Sequence, residues 1–292
     1  MASLVFAFAL TSSYLFWREF CIIHAQSNHL MSVLAVIPAR LGSTRLPRKP
    51  LQLLGGVPLV VRVYQRLLSL GVADECVVAT DDDEILQACA MYGVPGIMTA
   101  RTHPSGTDRV AEVARDSRYS GVEIVVNVQG DEPFVSAAAV SGAISMVASG
   151  RAAIGTAAAR ASVDALHRPD VVKVVCADDG RALYFSRAAI PFLRDPGDAA
   201  IAGTLVRQHI GVYAYTPTAL ATWVALPPHA LELTERLEQL RPLAHGLTIG
   251  VAIVEEAEFG IDTADDLAVA NIRWTEQQFR GHSPSLPNLS FA

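Results

Sequence analysis

The sequence predicts an α/β fold with a mixed, mostly parallel sheet flanked by helices. From residue 31 onward, short apolar segments alternate with segments of helical period. The apolar segments are nearly continuous, which is typical of strands buried on both faces of a parallel sheet. Between residues 151 and 215, several strand-like segments follow one another without a helix, which indicates some antiparallel pairing.

Nine strands are expected where short apolar runs end at turn residues. The first, residues 33–37, is rich in β-branched side chains and ends at Pro38. The others are expected at residues 75–79, 96–99, 123–128, 154–159, 171–176, 182–185, 208–215 and 247–254.

Six helices are expected between or after these strands. In residues 58–70 apolar side chains recur on one helical face, and Gly71 is expected to end the helix. The other helices are expected at residues 80–91, 107–116, 137–148, 231–245 and 263–274. The run Asp81–Glu84 is interpreted as acidic residues that stabilise a helix N-terminus, in preference to a metal cluster.

Composition excludes several classes of protein. The chain has 292 residues, of which 51% are hydrophobic and 18% charged, so it is not intrinsically disordered. Its net charge of −6 argues against a general nucleic-acid binder, and any anionic ligand needs a local cationic site. The four cysteines show no Cys-x-x-Cys spacing, so neither a zinc site nor a disulfide framework is indicated, and a reducing cytoplasm is expected.

The chain is expected to contain one domain at residues 31–278. Residues 1–30 form an extension whose first seventeen residues carry no charge. Two interpretations stay open: a mis-called start that leaves unstructured residues ahead of Met31, which is preferred, and a weak membrane anchor. Residues 279–292, rich in Pro and Ser, are expected to form a loose tail.

Candidate ligand-binding residues follow the predicted strands, because open α/β sheets bind ligands at the carboxyl ends of their strands. Arg40, Arg45, Arg48 and Lys49 lie on a loop after the first strand that is neither a Walker A loop nor a G-x-G-x-x-G loop. Such cations suit a polyphosphate, although a solvated basic loop is the alternative.

Two carboxylates could hold a divalent cation. Asp131 follows the turn residue Gly130 after the 123–128 strand, although Asp is also an ordinary turn residue. Asp262 precedes a helix whose capping box is formed by Thr263 and Asp266. With waters and phosphate oxygens, Asp131 and Asp262 would complete an octahedral magnesium site.

In combination, these segments resemble the 3-deoxy-manno-octulosonate cytidylyltransferase family, the CMP-Kdo synthetases. The family's V-I-P-A-R and S-T-R-L-P-x-K-P-L patterns are matched by residues 36–40 and 43–51, and V-N-V-Q-G-D-E-P by residues 126–133. Further matches are A-T-D at 79–81, S-G-T-D-R at 105–109, K-V-V at 173–175, Y-F-S-R-x-x-I-P at 184–191, H-x-G-x-Y-x-Y at 209–215, L-E-Q-L-R at 237–241 and D-T-x-x-D at 262–266. The resemblance covers residues 31–272.

This resemblance implies the nucleotide-diphospho-sugar transferase fold, which is Rossmann-like, and a cytoplasmic homodimer. It implies transfer of CMP from CTP to the anomeric hydroxyl of Kdo, an eight-carbon acidic sugar, with diphosphate released, Mg²⁺ as cofactor and a place in lipopolysaccharide biosynthesis. The attack would be in line on the α-phosphorus.

The resemblance also implies roles for individual residues. The nucleotide phosphates would be bound by Arg40, Ser43, Arg45 and Lys49. The cytidine would lie near Ser105, Gly106 and Thr107. Asp131 and Asp262 would bind the metal, and Arg40, Arg45, Lys49 and Asp131 would carry catalysis. The Kdo site would be lined by Gln129, Arg187, His209, Tyr213, Glu238 and Gln239. Arg187 would bind the sugar carboxylate, and Glu238 would accept hydrogen bonds from sugar hydroxyls.

Arg48 departs from the family pattern, which commonly has glycine there. If this position needs a positive φ, arginine is strained, and the loop either differs in shape or gains another cation. Two rival functions stay open: a cytidylyltransferase acting on sialic acid, which the Y-F-S-R and L-E-Q-L-R segments disfavour, and a non-catalytic nucleotide sensor, which would not need two carboxylates.

Overall fold

The computed structural model describes residues 31–198 and 204–281. Both interpretations of residues 1–30, and the predicted tail beyond residue 281, lie outside these residues. The strands are β1 (Val33–Ala39), β2 (Leu53–Leu54), β3 (Val57–Pro58), β4 (Glu75–Thr80), β5 (Gly96–Met98), β6 (Ile124–Asn127), β7 (Ile154–Arg160), β8 (Lys173–Cys176), β9 (Ala182–Ser186), β10 (Arg207–Tyr215) and β11 (Ile249–Val254). The α-helices are α1 (Leu59–Leu70), α2 (Asp83–Met91), α3 (Gly106–Ala114), α4 (Ala137–Ala148), α5 (Pro217–Ala225), α6 (Ala230–Glu235), α7 (Leu240–Ala244) and α8 (Ala264–Gly281).

The main sheet has the strand order β11-β7-β10-β6-β1-β4-β5. Strand β10 pairs antiparallel with both β6 and β7, while the remaining neighbours along this path pair in parallel. The hairpin of β8 and β9 joins the sheet at β10. The mixed, mostly parallel sheet predicted from the sequence is therefore confirmed.

Burial of β1 on both faces explains its unbroken apolar sequence. Ala35 and Ile37 pack in the cluster that includes α1 and α4, whereas Leu34 and Val36 pack in the cluster that includes α3 and α5. Successive strand residues point to opposite faces, so a sheet covered on both sides needs apolar residues at every position. This packing places the carboxyl end of β1, and the basic loop after it, at the centre of one sheet edge.

Close packing also fixes how α4 crosses the sheet. A Cβ on Gly155 of β7 would lie 2.1 Å from the carbonyl oxygen of Ala143, so only glycine allows this approach.

Several predicted boundaries were wrong. The expected helix over residues 231–245 is broken into α6 and α7 at Arg236, which is left-handed with φ 55°. The helix expected from Thr80 begins later, because Asp82 is its N-cap and accepts a hydrogen bond from the Glu84 backbone N–H. Helix α8 runs to Gly281, past the expected end at Trp274, so the predicted tail does not begin at residue 279.

Helix α5 was not predicted at all. Thr216 caps it through a hydrogen bond from the Ala219 backbone N–H, and Pro217 occupies its first turn. Within the described residues, no helix is long and apolar enough to cross a bilayer.

Candidate active site

A cavity of about 370 Å³ opens at the carboxyl ends of β1 and β6. It is bounded by the loop after β1, the N-terminus of α3, the turn after β6, the segment between α6 and α7, and the turn before α8. Ten of the predicted site residues line it: Arg40, Ser43, Arg45, Lys49, Ser105, Gly106, Gln129, Asp131, Glu238 and Asp262. The chain thus brings residues more than two hundred positions apart to one site.

Lys49 lies at the centre of the charged groups. Its Nζ is 2.6 Å from Oδ2 of Asp131 and 2.8 Å from Oδ1 of Asp262, and Arg45 Nη1 is 3.1 Å from the other oxygen of Asp262. Burial alone lowers the pKa of the Lys49 ammonium, but the carboxylates of Asp131 and Asp262 outweigh it and raise that pKa above its ordinary value. Lys49 therefore carries its charge into the cavity.

A backbone hydrogen bond holds the two carboxylate-bearing turns together. The Ile261 N–H donates to the carbonyl oxygen of Asp131 at 2.9 Å. The capping box expected before α8 is confirmed: the Asp266 N–H donates to Thr263 Oγ1, while the N–H groups of Thr263 and Asp262 donate to Asp266 Oδ2. Asp266 is thereby occupied by the backbone, which leaves Asp262 to face the cavity.

The donor set at this point fits a hard divalent cation. Asp131 and Asp262 both direct carboxylate oxygens at the same position, which the Lys49 ammonium occupies in this structure. Carboxylate oxygens are also the ligands that a hard divalent cation prefers. Within residues 31–198 and 204–281, no group of three or more His, Cys, Asp or Glu side chains is arranged to hold a metal ion. An ion bound here would therefore take its remaining ligands from water or substrate oxygens.

Glu132 is a further acid at this site that the sequence analysis did not single out. Its burial, followed by the charges of Asp131 and Asp262, raises its pKa to about 8. Gly260 makes room for it, since a Cβ there would lie 2.8 Å from Glu132 Oε1. The position of Glu132 within the Q-G-D-E-P segment was the sequence signal that could have identified it.

The N-terminus of α3 forms another wall of the cavity. Ser105 is its N-cap and accepts a hydrogen bond from the Asp108 N–H. Buried Thr107 does not line the cavity but donates its hydroxyl to Glu238 Oε2 at 2.9 Å. Burial raises the pKa of Glu238, although the hydroxyls of Thr107 and Ser105 oppose that shift.

Two residues of this wall were not predicted to belong to the site. Arg109 is 3% exposed, lines the cavity, and donates to Asp81 Oδ2 at 2.9 Å and to the hydroxyl of Thr99. Asp81 therefore pairs with Arg109 and lies before the N-cap of α2, so the prediction that Asp81 belongs to the helix N-terminus was wrong. For Asp82, Asp83 and Glu84 that prediction is confirmed. His103 also lines the cavity and pairs with Glu112.

The remaining predicted residues, Arg187, His209, Tyr213 and Gln239, do not line this cavity. His209 and Tyr213 share a face of β10, with ring centroids 5.5 Å apart, and His209 Nε2 lies 3.0 Å from Thr156 Oγ1. Tyr213 pairs with Asn127 of β6, which places His209 beyond the end of β6, on the side of Gln129. Gln239 is buried beside Glu238.

Arg187 follows β9 and is held by the end of α6. Its N–H donates to Glu235 Oε2, Nε donates to the Glu235 carbonyl oxygen, and Nη1 donates to the Pro169 carbonyl oxygen. These guanidinium contacts are all with main-chain carbonyls.

The fold and the site define a Rossmann-like α/β protein with a cationic loop beside a carboxylate pair at its strand ends. Residues 34–249 match the model of a family described as cytidylyltransferase. The chain is 68% identical over 244 residues to 3-deoxy-manno-octulosonate cytidylyltransferase of Gemmatimonas aurantiaca, covering 84% of this chain and 95% of the relative. It is 44% identical over 247 residues to the protein of that name from Geobacter sulfurreducens, covering 81% and 97%. The chain therefore belongs to the cytidylyltransferase family and, within it, to the 3-deoxy-manno-octulosonate cytidylyltransferases.

A solved structure agrees with this assignment. CMP:2-keto-3-deoxy-manno-octonic acid synthetase complexed with CTP superposes with a TM-score of 0.77 at 35% identity, covering 84% of this chain and 99% of that one. A 4-diphosphocytidyl-2C-methyl-D-erythritol synthase from Anaerococcus prevotii, at 16% identity and a TM-score of 0.55, covers 84% and 99% and shares the fold.

Proposed function

We propose that this protein transfers CMP from CTP to the anomeric hydroxyl of Kdo and releases diphosphate. The observation that carries the proposal is the position of Lys49 between Asp131 and Asp262 at the strand ends, in a chain whose fold matches that of a relative complexed with CTP. The new bond joins the sugar oxygen to the α-phosphorus, the bond to the diphosphate breaks, and the hydroxyl proton is released.

The basic loop is the proposed phosphate site. Arg40 and Arg45 are exposed at the cavity, and Lys49 projects into it. Their charges offset the negative charge that develops on the leaving diphosphate. When the triphosphate enters, Lys49 exchanges its carboxylate partners for phosphate oxygens, which frees Asp131 and Asp262.

Those two carboxylates are the proposed ligands of Mg²⁺. The ion, when bound, would polarise the α-phosphate and acidify the attacking hydroxyl. Asp131 and Asp262 would hold it beside the phosphate loop, so that the protein itself supplies orientation and charge balance.

The sugar is proposed to bind along β10, beyond Gln129. Burial lowers the pKa of His209 to about 3, so this ring is neutral and suited to hydroxyl groups. Glu238 and Gln239 offer acceptors for further hydroxyls. Arg187 suits the sugar carboxylate, because its guanidinium contacts are with carbonyls and leave its charge available.

A second copy of this chain is the proposed partner. Around the β8–β9 hairpin, Leu183, Phe192 and Leu205 are 56%, 82% and 45% exposed, and a homodimer would cover them. We also place the reaction in the cytoplasm, where CTP is available, and its product in lipopolysaccharide synthesis.

A diphosphate-release assay with CTP and Mg²⁺ tests the reaction. Kdo supports turnover and sialic acid does not, if the proposal is right. Turnover with sialic acid alone contradicts the sugar assignment, and CTP binding without turnover of either sugar indicates a non-catalytic sensor. Chelation of the metal is expected to stop diphosphate release, and sedimentation tests the homodimer.

A further inference from the structure

Arg48 stands out in the phosphate loop for its backbone conformation. It is left-handed, with φ 54° and ψ 34°, at the N-cap of the 3₁₀ turn Lys49–Leu51. Residues with a Cβ are disfavoured in this left-handed region of backbone conformation, which glycine adopts without strain. The turn that aims Lys49 at the cavity thus begins from a strained residue.

The Arg48 side chain forms its ion pair outside the cavity. It reaches the first turn of α2, where its guanidinium forms a two-pronged ion pair with Glu84, one contact being 3.2 Å from Nη1 to Oε1. Arg48 does not line the cavity, although its neighbour Lys49 does. The pair therefore joins the phosphate loop to a helix anchored in the core by Ile85 and Cys89.

We propose that the Arg48–Glu84 ion pair positions the phosphate loop, so that Lys49 is held ready for the triphosphate of CTP. Arg48 and Glu84 are positioning residues and touch no substrate. The inference rests on the proposed use of CTP.

The strain and the ion pair are of comparable size. The side chains of Arg48 and Glu84 are 52% and 55% exposed, so their attraction is modest and screened by salt. A left-handed arginine costs a similarly small amount. Neither the backbone strain nor the ion pair is large enough to decide whether the protein folds. The balance between them sets the fraction of molecules in which the loop holds its binding conformation.

A direct role for Arg48 on the triphosphate makes the opposite prediction for one variant. If Glu84 merely competes with phosphate for Arg48, then Glu84→Gln frees the guanidinium and lowers the KM for CTP. If the pair positions the loop, Glu84→Gln raises that KM.

The experiment measures CTP binding by calorimetry, and KM and kcat by diphosphate release. Arg48→Ala and Glu84→Gln are each expected to raise the Kd and KM for CTP about twofold to fivefold, with kcat nearly unchanged. Arg48→Gly is expected to stay closer to wild type, because glycine adopts the same φ without strain. The double variant R48A/E84Q is expected to be no worse than R48A.

Asp83→Asn is the matched control, because Asp83 is exposed in the same helical turn and has no ion pair with Arg48. A lowered KM in E84Q, additive effects in the double variant, or an equal effect of D83N overturns the inference. Binding of CTP to the wild type, measured first, separates this outcome from a failure of the proposed function.

Discussion

At the scale of single residues, the site depends on Asp131, one of the two carboxylates on Lys49. Asp131→Asn is expected to lower kcat at least about a hundredfold, because it removes one of the two proposed anionic ligands of the metal. CTP binding should remain measurable, since Lys49, Arg40 and Arg45 are unchanged. Diphosphate release and calorimetry check the two parts.

Asp265→Asn is the control for Asp131→Asn, because Asp265 is exposed in the first turn of α8 and does not line the cavity. Near-normal turnover of D131N would remove Asp131 from the catalytic machinery.

His209 is expected to make the stability of the protein depend on pH. Its pKa is lowered to about 3 by burial, whereas an unfolded-chain histidine titrates near ~6.5. Between these values the unfolded chain binds more protons, so stability present above pH ~6.5 is lost as pH falls. From pH 7.5 to 5.5 this single group is expected to cost about 1.4 kcal/mol.

Denaturant unfolding at both pH values checks this expectation. His209→Gln should lose that part of the pH dependence, while the exposed control His167→Gln should keep it. The same pH dependence of stability in wild type and H209Q would show that folding does not lower the pKa of His209.

At the scale of elements, the break between α6 and α7 shapes the site. Glu232 and Arg241, with side chains 8% and 9% exposed, form a buried ion pair across the break, and Glu238 lies between them. Arg241→Met is expected to destabilise the protein by about 3 kcal/mol, because it leaves Glu232 buried without its partner. It should also raise the KM for the sugar more than that for CTP.

Thermal and denaturant unfolding, with KM values for both substrates, check the Arg241 prediction. Arg181→Met is the control, since its ion pair with Asp179 is more than half exposed and should matter by less than about 1 kcal/mol. Equal stability losses in the two variants would contradict the role of the buried pair.

The sequence predicted elements whose cause is local, such as β1 with its apolar run and α1 with its glycine stop. It failed at Arg236, where a left-handed residue breaks the helix. The contact between Glu232 and Arg241 that spans this break is one that no local pattern reveals. It also missed α5, whose apolar face is short. The positive φ anticipated for Arg48 was found, because a departure at a single position could be tied to a definite backbone conformation.

At the scale of the whole molecule, a net charge of −6 coexists with a cationic cavity loop. The sequence predicted ten of the residues that line the cavity, but not that Lys49 bridges Asp131 and Asp262, since that contact joins side chains 82 and 213 positions apart. Similarly, the role of Arg109 in the cavity wall became recognisable only from its buried contacts with Asp81 and Thr99.

All the proposed catalytic residues lie between Arg40 and Asp262, so a chain beginning at Met31 is expected to keep full turnover. Ser32 already bonds to Gly121 and Glu123, and Val33 to Asp74, which anchors the start of β1. Diphosphate release by the two chains, compared at equal concentration, checks this. A large loss in the shorter chain, with unchanged unfolding, would assign residues 1–30 a part in catalysis.

The backbone hydrogen bond from Ile261 to Asp131 has a consequence for biosynthesis. Asp262 is among the last parts of the described chain to leave the ribosome, and this bond seats it against a turn made 130 residues earlier. A nascent chain that stops before Asp262 has the basic loop and Asp131 but lacks the second carboxylate. If Asp131 and Asp262 hold the metal as proposed, such incomplete chains are unable to consume nucleotide, and turnover becomes possible only late in synthesis.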